Sequence, residues 1–206
     1  MSIYDDHILP RLIHLVCSGK QFNEKRQSLV PMASGRVLEI GMGSGLNLPF
    51  YQDQRVERIF GLEPSRQLRS KAAMASDRID IPVELISNGA EDIPMERHSI
   101  DTVLVTFTLC SIPEIEKALR EMHRVLKPDG NLYFCEHGRA PEQNVRRWQD
   151  RLNPTWKKVA GGCNLNRNIP ELIKQAGFEL QKLDCQYMKG PRPMSYIFKG
   201  QASHHA

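Results

Sequence analysis

The fold of this chain follows from Val37-Leu38-Glu39-Ile40-Gly41-Met42-Gly43-Ser44-Gly45, in which an apolar run meets three glycines at alternate positions. The β-branched, apolar start predicts a buried strand. Glycine permits positive φ and lets a ligand approach the backbone closely. α/β folds build nucleotide sites from such a strand and loop, at the carboxyl end of the strand. The segment therefore predicts an α/β fold with a nucleotide-type ligand at the loop.

Strands and helices alternate along the rest of the chain. Further strands are expected at 56–62, 83–87, 102–107 and 131–136, with helices after residue 46 and at 65–76, 114–126 and 170–176. Lys127-Pro128-Asp129-Gly130 predicts a turn, and 141–168 is expected to be irregular. Two final strands, 179–187 and 194–199, flank a Gly190-Pro191 turn. This alternation favours a mostly parallel sheet covered by helices on both faces, with a hairpin at its end.

We predict one domain, 1–206, in three parts: an arm at 1–33, a cofactor-binding core at 34–138, and an acceptor-side segment with the hairpin at 139–206. Apolar residues at helical spacing in 3–17 and an amphipathic piece at 22–30 make the arm helical. Two readings of the arm stay open. Its helices either pack on the domain as ordinary structure or lie over the ligand site as a lid.

Composition excludes several classes of protein. A net charge of +4 without a dense basic and aromatic strip argues against nucleic-acid binding. The five cysteines are odd in number and form no C-x-x-C, which predicts a reducing, cytoplasmic location. No segment approaches the roughly 20 apolar residues of a membrane span, although peripheral membrane contact stays open. No cluster of cysteines, histidines and acids has metal-ligand spacing, so we predict no metal.

Two carboxylates indicate the kind of ligand. Glu63, eighteen residues after Gly45 at the end of the second strand, is placed to accept hydrogen bonds from both ribose hydroxyls. Glu39 enters an apolar strand and needs a cation or backbone donors. Leu46 stands where a dinucleotide fingerprint has its third glycine, which disfavours nicotinamide cofactors. A cofactor with an amino-acid tail and no phosphate fits better, and S-adenosylmethionine has that structure.

The core resembles the class I S-adenosylmethionine-dependent methyltransferases, of the type 11 domain. The residues concerned are Glu39 to Gly45, Glu63, Ala90-Glu91-Asp92-Ile93-Pro94, Asp101 and Arg124 to Gly130. Gly89 departs from the pattern, since many relatives carry aspartate there. The resemblance implies a Rossmann-like sandwich with a seven-stranded, mostly parallel sheet, a C-terminal antiparallel hairpin and an N-terminal helical arm. It implies S-adenosylmethionine as cofactor and S-adenosylhomocysteine as product. The cofactor-binding residues implied are Glu39, Gly41, Gly43, Gly45, Asn47, Glu63, Pro64, Ala90, Glu91, Thr106 and Leu109.

The second half is similar to a branch of this class that includes small-thiol S-methyltransferases. The similarity lies in Thr108-Leu109-Cys110-Ser111-Ile112, Glu136-His137, Trp148-Gln149, Pro154-x-Trp156 and Gly162 to Arg167. That branch usually has threonine where Asn166 stands, and it often carries an N-terminal membrane anchor, which is not expected here. The acceptor-site residues implied are Thr108, Cys110, Trp148, Trp156, Cys163, Asn164 and Arg167.

The implied reaction is an in-line displacement in which a small acceptor, with a thiol as the leading choice, takes the methyl group. Catalysis then depends largely on proximity and orientation. A thiol reacts as its thiolate, and His137 is the candidate to receive the proton; a structural histidine at a strand end is the alternative. Also open are a quinone or lipid C- or N-methyltransferase, a nicotinamide-dependent oxidoreductase, and a non-catalytic module that keeps the fold.

Overall fold

A computed structural model describes residues 14–204, which form a seven-stranded sheet in the order β3-β2-β1-β4-β5-β7-β6. The helices and strands in chain order are α1 (Lys20–Leu29), β1 (Gly35–Ile40), β2 (Val56–Leu62), α2 (Arg66–Ser76), β3 (Val83–Ile86), β4 (Ile100–Thr106), α3 (Ile115–Val125), β5 (Leu126–His137), α4 (Gln143–Val159), α5 (Ile169–Gln175), β6 (Phe178–Tyr187), α6 (Arg192–Ser195) and β7 (Tyr196–His204).

The first five strands run parallel, whereas β7 is antiparallel to both β5 and β6. This confirms the expected mostly parallel sheet with its C-terminal hairpin. β1 lies at the centre, between β2 and β4, and the connections leave it in opposite directions. Ligands bind at such a switch point, outside the carboxyl ends of the strands. The glycine loop that follows β1 is therefore where a ligand site is expected.

Helix α3 shows how the sequence pattern produces the packing. Ile115, Ala118, Leu119, Met122 and Val125 recur at helical spacing, and all five side chains are buried. Apolar side chains at this spacing form one stripe on the helix, which packs on the sheet. Burial of this stripe stabilises the half of the core that covers β4 and β5.

Asp101 lies at the amino ends of the parallel strands, on the opposite side of the sheet from the glycine loop. Its carboxylate accepts a hydrogen bond from the backbone of Arg36 at 2.8 Å and pairs with Lys127 at 2.5 Å. Because these groups lie at the start of β1, β4 and β5, the aspartate ties together the amino ends of three strands. Asp101, one of the residues on which the family resemblance is based, therefore has a structural role away from the expected ligand site.

The structure corrects three local predictions. The helix expected after residue 46 is only a 3-10 turn, Leu48–Phe50, because the Asn47 side chain donates to Glu39 and does not cap the helix, and Tyr51 is already extended. The segment expected to be irregular contains α4, whose interior Pro154 and few buried side chains obscure the helical period. The turn at 127–130 is a bulge within β5, since Leu126 pairs with Ile100 and Asn131 with Thr102.

The described part of the predicted arm is helical, and α1 belongs to it. The part before residue 14 lies outside the described residues. None of the helices in 14–204 is both long and apolar enough to cross a membrane.

Leu119→Ala should lower the free energy of unfolding by about 2–5 kcal/mol, because the truncation leaves a cavity under a fully buried side chain. Urea unfolding measures the change. The neighbouring Arg120→Ala, at an exposed position of the same helix, is the control and should stay within about 0.5 kcal/mol of the wild type. Equal losses in the two variants would contradict the packing described for α3.

Candidate active site

One cavity of about 880 Å³ lies against the carboxyl ends of the parallel strands. The loops after β1, β2, β3 and β4, together with His137 at the end of β5, form its floor. The arm and α1 contribute one wall, while the end of α4 and the connection between β6 and β7 contribute another. The volume lies in the upper part of the range for small-molecule sites. It has room for more than one ligand moiety.

The glycine loop forms one end of the cavity. Gly41 has φ +65°, and a Cβ there would lie 2.3 Å from the Thr108 methyl group, so only glycine fits. Glu63 Oε2 accepts a hydrogen bond from Gly43 N at 2.9 Å, and its Oε1 accepts one from Ser65 N at 2.9 Å. Burial raises the pKa of Glu63, and these backbone donors partly offset it. The carboxylate thus joins the loops after β1 and β2.

Glu39 lies beneath this loop and is fully buried. Its two oxygens accept hydrogen bonds from Asn47 Nδ2 at 2.9 Å and from the Tyr51 hydroxyl at 2.6 Å. Burial raises the pKa of Glu39 to about 7, although both bonds and the Arg26 guanidinium oppose the rise. The sequence predicted a cation or backbone donors. The hydrogen-bond donors are instead the neutral side chains of Asn47 and Tyr51, and the Arg26 guanidinium supplies the nearby cation. Glu39 therefore supports the loop from below.

The side chains of two cysteines and one histidine meet at the other end of the cavity. His137 Nε2 lies 3.0 Å from Cys163 Sγ, and Trp156 Nε1 donates a hydrogen bond to the same sulfur at 3.2 Å. Cys110 completes the group, since one ligand atom from each of Cys110, His137 and Cys163 lies within 4.8 Å of the other two. We call these three residues the acceptor cluster. All three line the cavity.

Electrostatics favour a charged pair within the acceptor cluster. Hydrogen bonds from Cys110, His137 and Trp156 lower the pKa of Cys163 to about 4, against the effect of burial. Burial opposes a charge on His137, but the bond to Cys163 outweighs it and raises the pKa of His137. The pKa of Cys110 is raised because its thiol bonds to Cys163 and is buried. These contacts favour the thiolate on Cys163 and the thiol on Cys110.

Asn164 and Arg167 hold the two cysteine-bearing loops together. Asn164 donates to Cys110 O from its backbone at 2.8 Å and from its side chain at 2.9 Å. Arg167 donates to Leu109 O and, at 2.7 Å, to Ile112 O. Both side chains therefore position the loop after β4 against the loop after α4, behind the cavity wall.

Most residues predicted from the sequence line the cavity. On the cofactor side these are Gly41, Gly43, Asn47, Glu63, Pro64, Ala90, Glu91 and Thr106. On the acceptor side they are Thr108, Cys110, His137, Trp156 and Cys163. The residues that do not line it are Glu39, Gly45, Leu109, Trp148, Asn164 and Arg167. Among these, Trp148 is 54% exposed and stacks under Arg151 on the outer side of α4.

The sequence prediction missed several residues of the cavity. His14 Nδ1 lies 2.6 Å from the Ser44 hydroxyl, which brings the arm onto the glycine loop. Arg26 of α1 is buried in the wall, above the Phe107 ring. Phe107 has φ +55°, an uncommon conformation that turns the chain sharply after β4. A basic residue within an amphipathic helix looks like a surface group, so the sequence carried no signal for Arg26.

Known proteins share both the fold and the sequence pattern. Residues 38–134 match the family model described as a methyltransferase domain. The chain is 30% identical over 192 residues to human thiol S-methyltransferase TMT1B. The aligned region covers 87% of this chain and 76% of the human protein. The rat protein of the same name is 32% identical over 163 residues, covering 78% of this chain and 65% of its own length.

A solved structure agrees over nearly the whole chain. It is a S-adenosylmethionine-dependent methyltransferase from Thermotoga maritima, described as a possible histamine N-methyltransferase. It superposes with a TM-score of 0.69 at 21% identity and covers 97% of this chain and 99% of its own. At this identity the likeness shows the shared fold.

The chain belongs to the class I S-adenosylmethionine-dependent methyltransferases, and its methyl donor is S-adenosylmethionine. Within that class its sequence is similar to the mammalian thiol S-methyltransferases named TMT1B. The nicotinamide-dependent alternative is not supported by these relatives.

Glu39→Gln should make stability less dependent on pH. The folded state keeps the Glu39 proton up to a pKa of about 7, whereas the unfolded carboxyl loses it near 4.5. The stability contribution is therefore complete below the lower value and is lost as the pH rises to the upper one. The wild type should lose up to about 3 kcal/mol more than the variant across this window.

Urea unfolding at several pH values measures this difference. The matched control is Glu57→Gln, which changes an exposed glutamate of β2 and should follow the wild type. A Glu39→Gln variant with the wild-type pH profile would contradict the buried, proton-retaining carboxyl.

Proposed function

We propose that this protein transfers the methyl group of S-adenosylmethionine to the sulfur of a small thiol. The observation that carries the proposal is that one cavity contains the glycine loop at one end and the acceptor cluster at the other. The similarity to proteins named thiol S-methyltransferases supports the choice of acceptor. The reaction needs the acceptor sulfur to approach the methyl carbon closely and in line with the bond that breaks, and binding both molecules in one cavity provides this proximity.

On the cofactor side, we assign binding of the ribose hydroxyls to the carboxylate of Glu63, which directly follows β2 and lines the cavity. The loop from Gly41 to Gly45 accommodates the amino-acid tail, since a Cβ at Gly43 would meet only the Gly41 carbonyl oxygen, at 3.9 Å. Ala90 and Glu91 line the region assigned to the adenine. When bound, S-adenosylmethionine supplies an electrophilic methyl group on a sulfonium.

Arg26 adds a feature suited to that tail. Arg26 lines the cavity. Its Nη1 donates to Cys17 O and to Asn23 Oδ1, whereas its buried Nε has no hydrogen-bond partner within the described residues. A carboxylate beside it would gain a charge-assisted hydrogen bond, worth more than a neutral one. We assign the cofactor's carboxylate to this side of the cavity.

On the acceptor side, Thr108, Trp156 and the acceptor cluster form the wall against which a small molecule would lie. An acceptor thiol must lose its proton, because the thiolate is the nucleophile. His137 belongs to the group that handles this proton, although its Nε2 is directed at Cys163. We propose a reducing compartment such as the cytoplasm, supported by the five free cysteines among the described residues.

The first test is an acceptor panel with purified protein and S-adenosylmethionine. An alkyl thiol should yield methyl thioether and demethylated cofactor in equal amounts, whereas the alcohol and amine of the same carbon chain should yield neither. Mass spectrometry measures both products. Turnover of the amine, or of a demethylated quinone, without turnover of any thiol would overturn the thiol assignment and leave the methyltransferase class intact.

Glu63→Ala tests the cofactor assignment. The variant loses the hydrogen bonds that the Glu63 carboxylate accepts from the ribose hydroxyls. Because the acceptor is charged, S-adenosylmethionine binding should weaken by about 1.5–3 kcal/mol, or about 10- to 150-fold. Isothermal titration calorimetry measures the affinity, and Glu57→Ala, at an exposed position of the strand that precedes Glu63, is the matched control. Unchanged affinity in a folded Glu63→Ala protein would remove Glu63 from the ribose site.

A further inference from the structure

The acceptor cluster joins ligands from three distant parts of the chain. Cys110 follows β4, His137 ends β5, and Cys163 follows α4. Sequence spacing predicted no metal because these residues are far apart, and each looks isolated. The sheet and the loop after α4 nevertheless bring one ligand atom of each within 4.8 Å of the others. Two thiols and an imidazole at such separations form a soft metal-binding set.

The separations suit a tetrahedral ion. Zinc binds sulfur at about 2.3 Å and imidazole nitrogen at about 2.0–2.1 Å, which places neighbouring ligands roughly 3.5–3.8 Å apart. The distance from His137 Nε2 to Cys163 Sγ is 3.0 Å, so the two need to separate by only about half an ångström. No fourth protein ligand lies in this group among residues 14–204. The three residues face the cavity, so the fourth position of an ion would face it too.

The surroundings of the cluster fix its ligands. Trp156 Nε1 donates to Cys163 Sγ, and Asn164 ties the Cys110 carbonyl to the loop that carries Cys163. Arg167 holds the carbonyls on either side of Cys110, at Leu109 and Ile112. Outer contacts of this kind orient the ligands of metal sites. Three protein ligands and one open position are the arrangement of catalytic, not structural, zinc sites.

We propose that Cys110, His137 and Cys163 bind one Zn²⁺ ion, and that the acceptor thiol takes the fourth position as its thiolate. This inference rests on the proposed function and names how the acceptor is held and activated. When the ion binds, the Cys110 thiol and His137 release their protons to solvent, because metal ligands must be deprotonated. His137 is then a metal ligand and no longer a proton acceptor, so the proton of the acceptor thiol also goes to solvent when its sulfur coordinates. The ion lowers the proton affinity of its ligand, as it does for coordinated thiols generally.

The atoms and charges balance without a further reactant. Coordination replaces the S–H bond of the acceptor by a Zn–S bond and releases one proton. The sulfur then forms a bond to the methyl carbon while the carbon–sulfonium bond breaks, and that electron pair stays on the cofactor sulfur. The products are a neutral thioether and neutral S-adenosylhomocysteine. A thioether is a weaker ligand than a thiolate, so the product leaves the ion.

Metal content tests the site independently of activity. The full-length protein, purified without chelators and dialysed against Zn²⁺ and then buffer, should retain about one equivalent of zinc by mass spectrometry. Cys163→Ser, Cys110→Ser and His137→Ala should each retain below about a tenth of that amount. Cys185→Ser changes an exposed cysteine outside the cluster and should retain the full amount. A thermal shift with S-adenosylmethionine shows that each variant is folded.

Cobalt provides a second readout on the unaltered chain. Co²⁺ in place of zinc should give thiolate-to-metal absorption in the near ultraviolet, and an alkyl thiol should change that spectrum. A folded protein without retained zinc and without the cobalt band overturns the proposal. Full thiol turnover by such metal-free protein overturns it as well, while the proposed function stands. Retained zinc without turnover of any thiol overturns both the proposed function and the acceptor role of the ion.

Discussion

Three buried carboxylates constrain the loops that form the active site. Glu39, Glu63 and Glu136 lie at the carboxyl ends of β1, β2 and β5, and each is nearly inaccessible to solvent. A buried carboxylate is costly unless donors surround it. The donors come from the loops: Asn47 and Tyr51 for Glu39, the backbone of Gly43 and Ser65 for Glu63, and the backbone of Thr108 for Glu136. These hydrogen bonds therefore fix the loops around the cavity, although Glu136 Oε2 has no hydrogen-bond partner among residues 14–204.

The same arrangement explains how much could be predicted from the sequence. Strands, the glycine loop and Glu63 follow local rules of periodicity and spacing, so the sheet and the position of these residues at the cavity were accessible to prediction. Helix α4 was not, because Pro154 and a mostly exposed surface hide its period. The roles of Asn164 and Arg167 depend on contacts with the loop after β4, more than fifty residues away in the chain. Spacing along a sequence carries no information about such contacts.

The two ends of the cavity differ in how they are built. The cofactor end depends on the loops after two consecutive strands, β1 and β2, so the glycine loop and Glu63 are close in sequence. The acceptor end is assembled from the ends of β4, β5 and α4. Hydrogen bonds from Asn164 and Arg167 to the loop after β4 hold these segments together. Substitutions can therefore alter the acceptor wall while the cofactor loop keeps its geometry. This separation accounts for a common fold that serves many acceptors.

The position of β7 has a consequence for the order of folding. This strand comes last among the described elements, yet it lies between β5 and β6 in the sheet. During synthesis β6 emerges first but has no place to pair until β7 follows it, whereas the five parallel strands can already associate. The connection before β7, which lines the cavity through Met188 and Met194, is thus completed only after the five parallel strands have been synthesised. A nascent chain should acquire its cofactor end before it acquires a closed acceptor wall.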